Sequence, residues 1–142
     1  MEIKIIEYKN DVKLDVPTFR DLIKRTTLNR QLDDDDKLQR MIDNADFLYT
    51  AWDGDQVVGY TRGLTDYGDV TYVADLGIDQ VYWHQGIGRH LLQMIDAQFG
   101  EKLHTVLFAS KLAENYYAKV GYTKSDRGYT KSPHQWNEIE PL

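Results

Sequence analysis

Cysteine is absent from this 142-residue chain, which excludes a disulfide framework, a thiolate nucleophile and any cysteine-based metal site. No apolar run approaches the roughly 18 residues that a membrane-spanning helix needs. Lysine and arginine total 17 against 23 aspartates and glutamates, a net charge of −6, and no basic stripe offsets that excess of acid. We therefore expect neither nucleic acid nor a membrane as a partner, and a cytoplasmic location.

The remaining composition is typical of a globular protein, with 42% hydrophobic and 28% charged residues. The length suits one domain with a sizeable core. No repeat, linker or low-complexity tract divides the sequence, and the charged first residues predict a strand rather than a signal sequence. We expect a single domain over residues 1–142.

Hydrophobic periodicity predicts the element order β-α-α-β-β-β-α-β-α-β-β. Pro17 suits the first position of a first helix, and a run of four aspartates, 33–36, suits the positive start of a second helix. A hairpin is indicated at Asp53-Gly54. The predicted strands are residues 2–8, 46–52, 56–64, 70–78, 105–109 and a final pair, with further helices after Gly86 and over about 111–120.

The strand-to-helix turn at residues 85–89, Gln-Gly-Ile-Gly-Arg, is the most informative segment. Two glycines there leave backbone N–H groups uncovered at a positive helix N-terminus, which favours an anion such as a phosphate. The third glycine of a dinucleotide fingerprint is replaced by Leu91, and no P-loop occurs. By itself the pair of glycines is equally compatible with a turn that only needs flexible residues.

A second cluster, residues 115–122, reads Asn-Tyr-Tyr-Ala-Lys-Val-Gly-Tyr and follows a predicted strand. In this order and spacing, the two clusters resemble the GNAT superfamily of acyl-CoA-dependent N-acetyltransferases. The matching residues are Gly86, Gly88, Tyr117, Lys119, Gly121 and, conservatively, Tyr122. The resemblance implies an α/β (α+β) fold with a central mixed, mostly antiparallel sheet and helices on both faces. It also implies acetyl-CoA as co-substrate and no metal.

Two positions depart from the family pattern. Trp83 stands where the family usually has arginine or glutamine, and Ser110 stands where asparagine is common. The resemblance implies that the backbone of Leu76 and Ile78 pairs with the pantetheine arm. The remaining cofactor-binding residues that it implies are His84, Gln85, Gly86, Ile87, Gly88, Arg89 and Ser110.

Two residues are predicted to be catalytic. Tyr117 matches the family's general acid, which protonates the departing thiolate, and its alternative is plain aromatic packing. Asp75, a carboxylate beside the expected acyl position, is the candidate for accepting the amine proton. For Asp75 two alternatives stay open: proton loss through ordered water, or a structural ion pair.

Other polar residues have ordinary interpretations. Arg62 is expected to be a solvated strand residue, although it could line the acceptor pocket. His84 and His90 lack a third ligand, so no metal site is predicted. The acceptor pocket has no diagnostic motif, and its candidate residues are Tyr60, Arg62, Tyr129 and Trp136.

The resemblance therefore predicts an enzyme that moves an acetyl group from acetyl-CoA to a primary amine by direct attack in a ternary complex. The acceptor is expected to be a small molecule. The alternative is a non-catalytic acyl-CoA-binding sensor or interaction module on the same fold. The chain is expected to be a monomer or a homodimer.

Overall fold

The computed structural model describes residues 5–132 of the chain. Its backbone divides into two units, Met1–Phe108 and Ala109–Leu142. The first unit contains one five-stranded sheet in the order β1-β2-β3-β4-β5. The strands are β1 (Glu7–Lys9), β2 (Phe47–Asp53), β3 (Gln56–Thr65), β4 (Val70–Ile78) and β5 (His104–Leu107).

The sheet is mixed and mostly antiparallel, as the sequence predicts. The first four strands pair antiparallel with their neighbours, and β5 runs parallel to β4. The predicted hairpin joins β2 to β3, with Asp53 opposite Gln56. Gly54 takes a left-handed φ of 59° in that turn, which glycine adopts at little steric cost.

Three helices belong to the first unit: α1 (Val16–Arg25), α2 (Asp35–Asp43) and α3 (Ile87–Ile95). The α1 helix begins where the Asp15 side chain accepts from the Thr18 N–H at 2.8 Å. In the acidic run, Asp34 caps α2 by accepting from the Lys37 N–H at 3.0 Å. These carboxylates satisfy donors that a helix leaves open at its start. None of the helices that residues 5–132 form is long and apolar enough to cross a membrane.

The helices cover both faces of the sheet, which confirms the predicted layering. One face packs against α1 and α2 through a cluster that includes Phe19, Leu22, Leu38 and Tyr60. The other face packs against α3, whose buried residues are Ile87, Leu91, Leu92 and Ile95. Apolar burial of this kind is the main stabilising term in folding.

The pairing of β4 with β5 stops early. Residues 70–73 of β4 pair with residues 104–107 of β5, and the remaining residues of β4 pair with β3 alone. A bulge between Arg62 and Gly63 shifts the β3–β4 register at the point where β5 departs. Residues 74–78 of β4 therefore have one edge that is not paired with another strand of the described sheet.

Several predicted boundaries differ from the structure. The expected helix over 111–120 is a 3-10 turn (Lys111–Ala113) followed by a short α4 (Tyr116–Lys119). Residues 120–132 form no strand, and the rest of the expected last strand pair lies outside the described residues. After Ile95 the α3 helix continues as a wide π turn through Gly100. Gly100 does not take the left-handed backbone expected of a capping glycine.

Gly77→Ala tests the close contact between β4 and the loop after α1. A methyl group at Gly77 would lie 2.8 Å from Leu28 Cδ1 and 3.0 Å from Thr26 Cγ2. We expect the free energy of unfolding to fall by about 1–3 kcal/mol because of overpacking, measured by urea denaturation. Gly68→Ala is the control, since its nearest atoms are 3.9 Å or more away. Equal stability of the two variants would contradict this packing.

Candidate active site

The α3 helix begins at an open N-terminus. Gly86 is its N-cap residue with φ of 81°, and no side chain caps the first N–H groups. A Cβ atom at Gly86 would meet no atom within 4 Å, so the space in front of the helix is clear. Ile87 is buried and anchors this turn to the sheet. The uncapped N–H groups and the helix dipole together form an anion-binding end.

The polar residues around this turn are accessible. His84, Gln85 and Arg89 are exposed, and His84 has a left-handed φ of 63°. His90 lies on the same turn, but its ring stacks on Tyr8 with centroids 3.6 Å apart. Residues 5–132 contain no group of three or more histidines and carboxylates placed to hold a metal ion.

The backbone of Leu76 and Ile78 points toward the unpaired edge of β4. The Asp79 N–H donates to the Val58 carbonyl oxygen at 2.8 Å. The adjoining pair, Gly59 opposite Ile78, is therefore a non-hydrogen-bonded pair, in which both residues turn their N–H and C=O groups outward. Leu76 lies two residues earlier in the same register and has the same orientation. In both residues the N–H and C=O groups therefore point away from β3, and their pairing with pantetheine stays a prediction.

Trp83 has a role that the sequence did not indicate. Its indole N–H donates to the Ile78 carbonyl oxygen at 3.0 Å, which ties the loop before α3 to the end of β4. Arg30 Nη2 similarly donates to the Ala74 carbonyl oxygen at 3.1 Å. The outward N–H and C=O of Leu76 and the N–H of Ile78 face the gap where β5 has diverged.

Asp75 is the centre of a buried charged cluster. Its side chain is 0% exposed, and Oδ1 accepts from Arg30 Nε at 2.9 Å. Oδ2 accepts from Arg62 Nε at 2.8 Å and from the Tyr60 hydroxyl at 3.0 Å. The ion-pair alternative for Asp75 is therefore present in the structure. Its role in accepting the amine proton stays a prediction.

The expectation of a solvated Arg62 was wrong, because its side chain is only 13% exposed and pairs with Asp75. Tyr60 is fully buried, and burial first, then the neighbouring Asp75 carboxylate, raises its pKa well above the usual value. Tyr60 therefore supports the cluster as a neutral donor. Of the other two acceptor-pocket candidates, Tyr129 is 95% exposed and Trp136 lies outside the described residues.

In the second unit, the segment around Tyr117 is a capped helix end. Gly121 has φ of 103° just after α4, and the Tyr122 N–H returns to the Tyr117 carbonyl oxygen at 3.0 Å. This is a Schellman cap, whose usual side-chain contact joins the same two residues. Here the rings of Tyr117 and Tyr122 lie 5.7 Å apart, edge to face. In the Lys-x-Gly-Tyr part of the motif, Gly121 and Tyr122 thus form the cap that positions the ring of Tyr117.

The pKa of the Tyr117 phenol is raised, so the hydroxyl keeps its proton at neutral pH. Burial raises its pKa to about 12, with a further contribution from the neighbouring tyrosines 116 and 122. Tyr116 is half-buried rather than a core residue, and its ring is 5.4 Å from that of Tyr117. Ser110, in the same unit, is exposed and begins the 3-10 turn without a side-chain cap bond.

Three solved structures similar to this chain are a probable acetyltransferase, an aminoglycoside acetyltransferase and a predicted acetyltransferase. A probable acetyltransferase from meticillin-resistant Staphylococcus aureus is 18% identical, with a TM-score of 0.79 over 93% of this chain and 100% of its own. An aminoglycoside acetyltransferase from an uncultured soil metagenomic sample, in complex with trehalose, is 20% identical, with a TM-score of 0.69 over 92% and 96%. A predicted acetyltransferase from Clostridium acetobutylicum, solved with acetyl-CoA, is 17% identical, with a TM-score of 0.68 over 90% and 96%. At these identities the likeness shows the fold.

The family itself is shown by the sequence. No curated protein sequence matches the chain. The family model described as the acetyltransferase (GNAT) family matches residues 16–122, a span that includes both glycines of the α3 turn and the segment around Tyr117. The splayed β4, the uncapped α3 and the capped tyrosine all lie within it. The chain belongs to the GNAT acetyltransferase family.

Proposed function

We propose that this chain transfers an acetyl group from acetyl-CoA to a primary amine of a small molecule. The observation that supports it most is that two sets of backbone groups, unpaired among the described residues of the first unit, lie at the two ends of one loop. The uncapped N-terminus of α3 suits an anion, and the loop that leads to it is tied by Trp83 to the open edge of β4. In a phosphorylated ligand with an extended arm that bears amides, the phosphate would suit the helix N-terminus and the amides would suit the edge of β4.

The residues that would hold the cofactor divide into two groups. The N–H groups at 86–89 would bind the diphosphate, with His84, Gln85 and Arg89 beside them. The outward N–H and C=O of Leu76 would pair with the amides of the pantetheine arm, as an added strand does. Because Trp83 occupies the Ile78 carbonyl, the contribution of Ile78 is its N–H. Ser110 can add a hydrogen bond through its hydroxyl.

The chemistry follows the family's direct transfer. Acetyl-CoA, when bound, supplies an activated thioester whose carbonyl carbon accepts the amine and whose sulfur leaves as a thiolate. The Ile78 N–H points away from β3 and would stabilise negative charge on the carbonyl oxygen. Tyr117 would give its phenolic proton to the sulfur. The chain contains no cysteine to form a competing acyl-enzyme.

The amine proton has two routes. Asp75 lies on β4 one residue from Leu76, but each of its oxygens already accepts hydrogen bonds from arginine or tyrosine. Proton loss to water before attack requires no further acceptor. We therefore favour water as the carrier, with Asp75 as the charge that fixes Arg30 and Arg62.

Gly86→Val should weaken acetyl-CoA binding by about tenfold or more, because the side chain covers donors that would meet a charged group. The left-handed φ of 81° should also cost about 1–2 kcal/mol of stability. Gly54→Val is the matched control, with φ of 59° and no atom within 4 Å of its Cβ position. It should lose similar stability and keep the affinity measured by calorimetric titration. Equal loss of affinity in both variants would argue against a cradle at Gly86.

Tyr117→Phe should lower kcat by about 10²–10⁴-fold, the usual contribution of a general acid. The ring contact with Tyr122 is kept, so acetyl-CoA affinity should change by no more than a few-fold. Tyr116→Phe removes the neighbouring hydroxyl and should retain activity. Both variants are assayed by thiol release with the same amine. An active Tyr117→Phe variant would remove this residue from the mechanism, and binding without turnover over a broad amine panel would support the non-catalytic alternative.

The rate of acetyl transfer should rise with increasing pH and then stay level. Only the neutral amine attacks, so the rate increases as the acceptor loses its proton. The pKa of Tyr117, raised to about 12, keeps the acid protonated well above pH 10, so no descending limb is expected near pH 10. Circular dichroism at each pH checks that the protein stays folded. A fall in rate centred near pH 10 in folded protein would mean that Tyr117 titrates as an ordinary phenol or is not the acid.

A further inference from the structure

The cluster at Asp75 has more positive than negative charge. One carboxylate, with its side chain 0% exposed, is shared by Arg30 and Arg62. Since the third partner, Tyr60, is a neutral phenol, the cluster has a net charge of about +1. The whole chain, in contrast, has a net charge of −6. Burying a charge without its full complement is costly. The Arg30 side chain is 31% exposed and the Arg62 side chain only 13%, so it is Arg62 whose charge calls for an explanation.

A second ion pair on the same unit shows the opposite balance. Arg25 pairs with Asp79 at 2.6 Å and with Asp21 at 3.1 Å, so one guanidinium has two carboxylates. Its Nη2 also donates to the Val57 carbonyl oxygen at 2.9 Å. Arg25 is thus a fully engaged structural residue. The excess of positive charge at Asp75 is thus not shared by the ion pair at Arg25.

The two Nη nitrogens of Arg62 make no hydrogen bond to the described residues. Only its Nε is engaged, by Asp75 Oδ2, and no acceptor within residues 5–132 binds its two Nη nitrogens. Every buried side-chain nitrogen in that part of the chain has a partner, so these Nη atoms are accessible from outside. The side chain is nevertheless only 13% exposed. The small exposed part of Arg62 therefore includes Nη donors that no described residue accepts.

The position of Arg62 relates it to the expected acyl site. Arg62 lies opposite Asp75 across the β3–β4 ladder, and Leu76 follows Asp75 directly. One residue along a strand spans about 3.3 Å. The loop between α1 and α2 closes over the same strand, with Arg30 bonded to Asp75 and Leu28 against Gly77. Arg62 thus lies on the loop-covered face of β3, one strand in from the unpaired edge of β4.

We propose that Arg62 binds a carboxylate of the acceptor, so that the acceptor is an amine that also bears a carboxylate, as a free amino acid does. The inference rests on the proposed function. A guanidinium presents parallel N–H donors that match the two oxygens of a carboxylate. Asp75 fixes the guanidinium through Nε and leaves the far side open for this contact. Acceptors whose other groups are only cationic would meet the net positive charge unfavourably.

The test compares each common amino acid with its amide and with the amine lacking the carboxyl group. Rates with acetyl-CoA are compared at equal concentrations of neutral amine, so that amine pKa does not bias the result. The parent should prefer the best acid over its amide. In Arg62→Gln, kcat/KM for that acid should fall by about 10–100-fold, as for the loss of hydrogen bonds to a charged group. The value for the amide should change little.

Arg25→Gln is the control for losing a part-buried arginine. It should lower stability without altering the ratio of acid to amide. In Arg62→Gln, Asp75 keeps Arg30 and Tyr60 as partners, and thermal denaturation with and without acetyl-CoA verifies that the variant folds. A parent that uses amides as well as acids, or an unchanged ratio in folded Arg62→Gln, would overturn the proposal.

Titration of N-acetylated amino acids and their amides into the protein separates this proposal from the proposed function. If no amine is acetylated but N-acetyl amino acids bind and binding requires Arg62, the carboxylate site stands and the transferase proposal falls. If amines are acetylated while acids and amides bind alike, the transferase proposal stands and the carboxylate site falls. If neither transfer nor Arg62-dependent binding is seen, both proposals are wrong.

Discussion

The early divergence of β5 from β4 is the constraint on which the site depends. Backbone N–H and C=O groups need partners, and within residues 5–132 no second strand pairs with β4 on one side after Val73. The protein satisfies part of this edge with side chains: Arg30 binds the Ala74 carbonyl and Trp83 binds that of Ile78. Between these two points, Leu76 directs its N–H and C=O away from β3 and pairs with no second strand among the described residues, and we propose that a ligand pairs with them. The shape of the proposed cofactor site is thus a consequence of strand pairing.

Charge is used in the same region to fix geometry. The buried Asp75 carboxylate joins its own strand, β4, to two other elements. Arg30 comes from the loop after α1, and Tyr60 and Arg62 come from β3. Removing one partner of such a buried cluster leaves an uncompensated charge. The glycine at 77 lets the α1–α2 loop approach β4, which is what brings Arg30 within reach. Packing and electrostatics therefore depend on each other here.

One glycine of each GNAT motif takes a left-handed backbone conformation at a helix end. Gly86 provides a left-handed N-cap with no side chain in front of the helix. Gly121 provides the left-handed residue of a Schellman cap, and the residue after it packs on Tyr117. The two glycine-containing motifs are thus the beginning of one helix and the end of another. The motif tyrosine is held by the cap, and its burial keeps the phenol protonated.

The sequence by itself determined the first three helices, the three central strands and the two motifs, because periodicity, caps and glycine turns are local properties. It did not determine the chain after β5, where the expected helix is a 3-10 turn followed by a short α4 and residues 120–132 form no strand. The family resemblance indicated Leu76 and Ile78, and the strand register of the structure gives the direction of their backbone groups. Only the tertiary structure decided that the Arg62 side chain is mostly covered and paired with Asp75, and that Arg30, 45 positions before Asp75, binds the same carboxylate. It also decided that Trp83 reaches back to β4. These contacts join residues distant in the chain through a loop approach and a bulge, which no local pattern encodes.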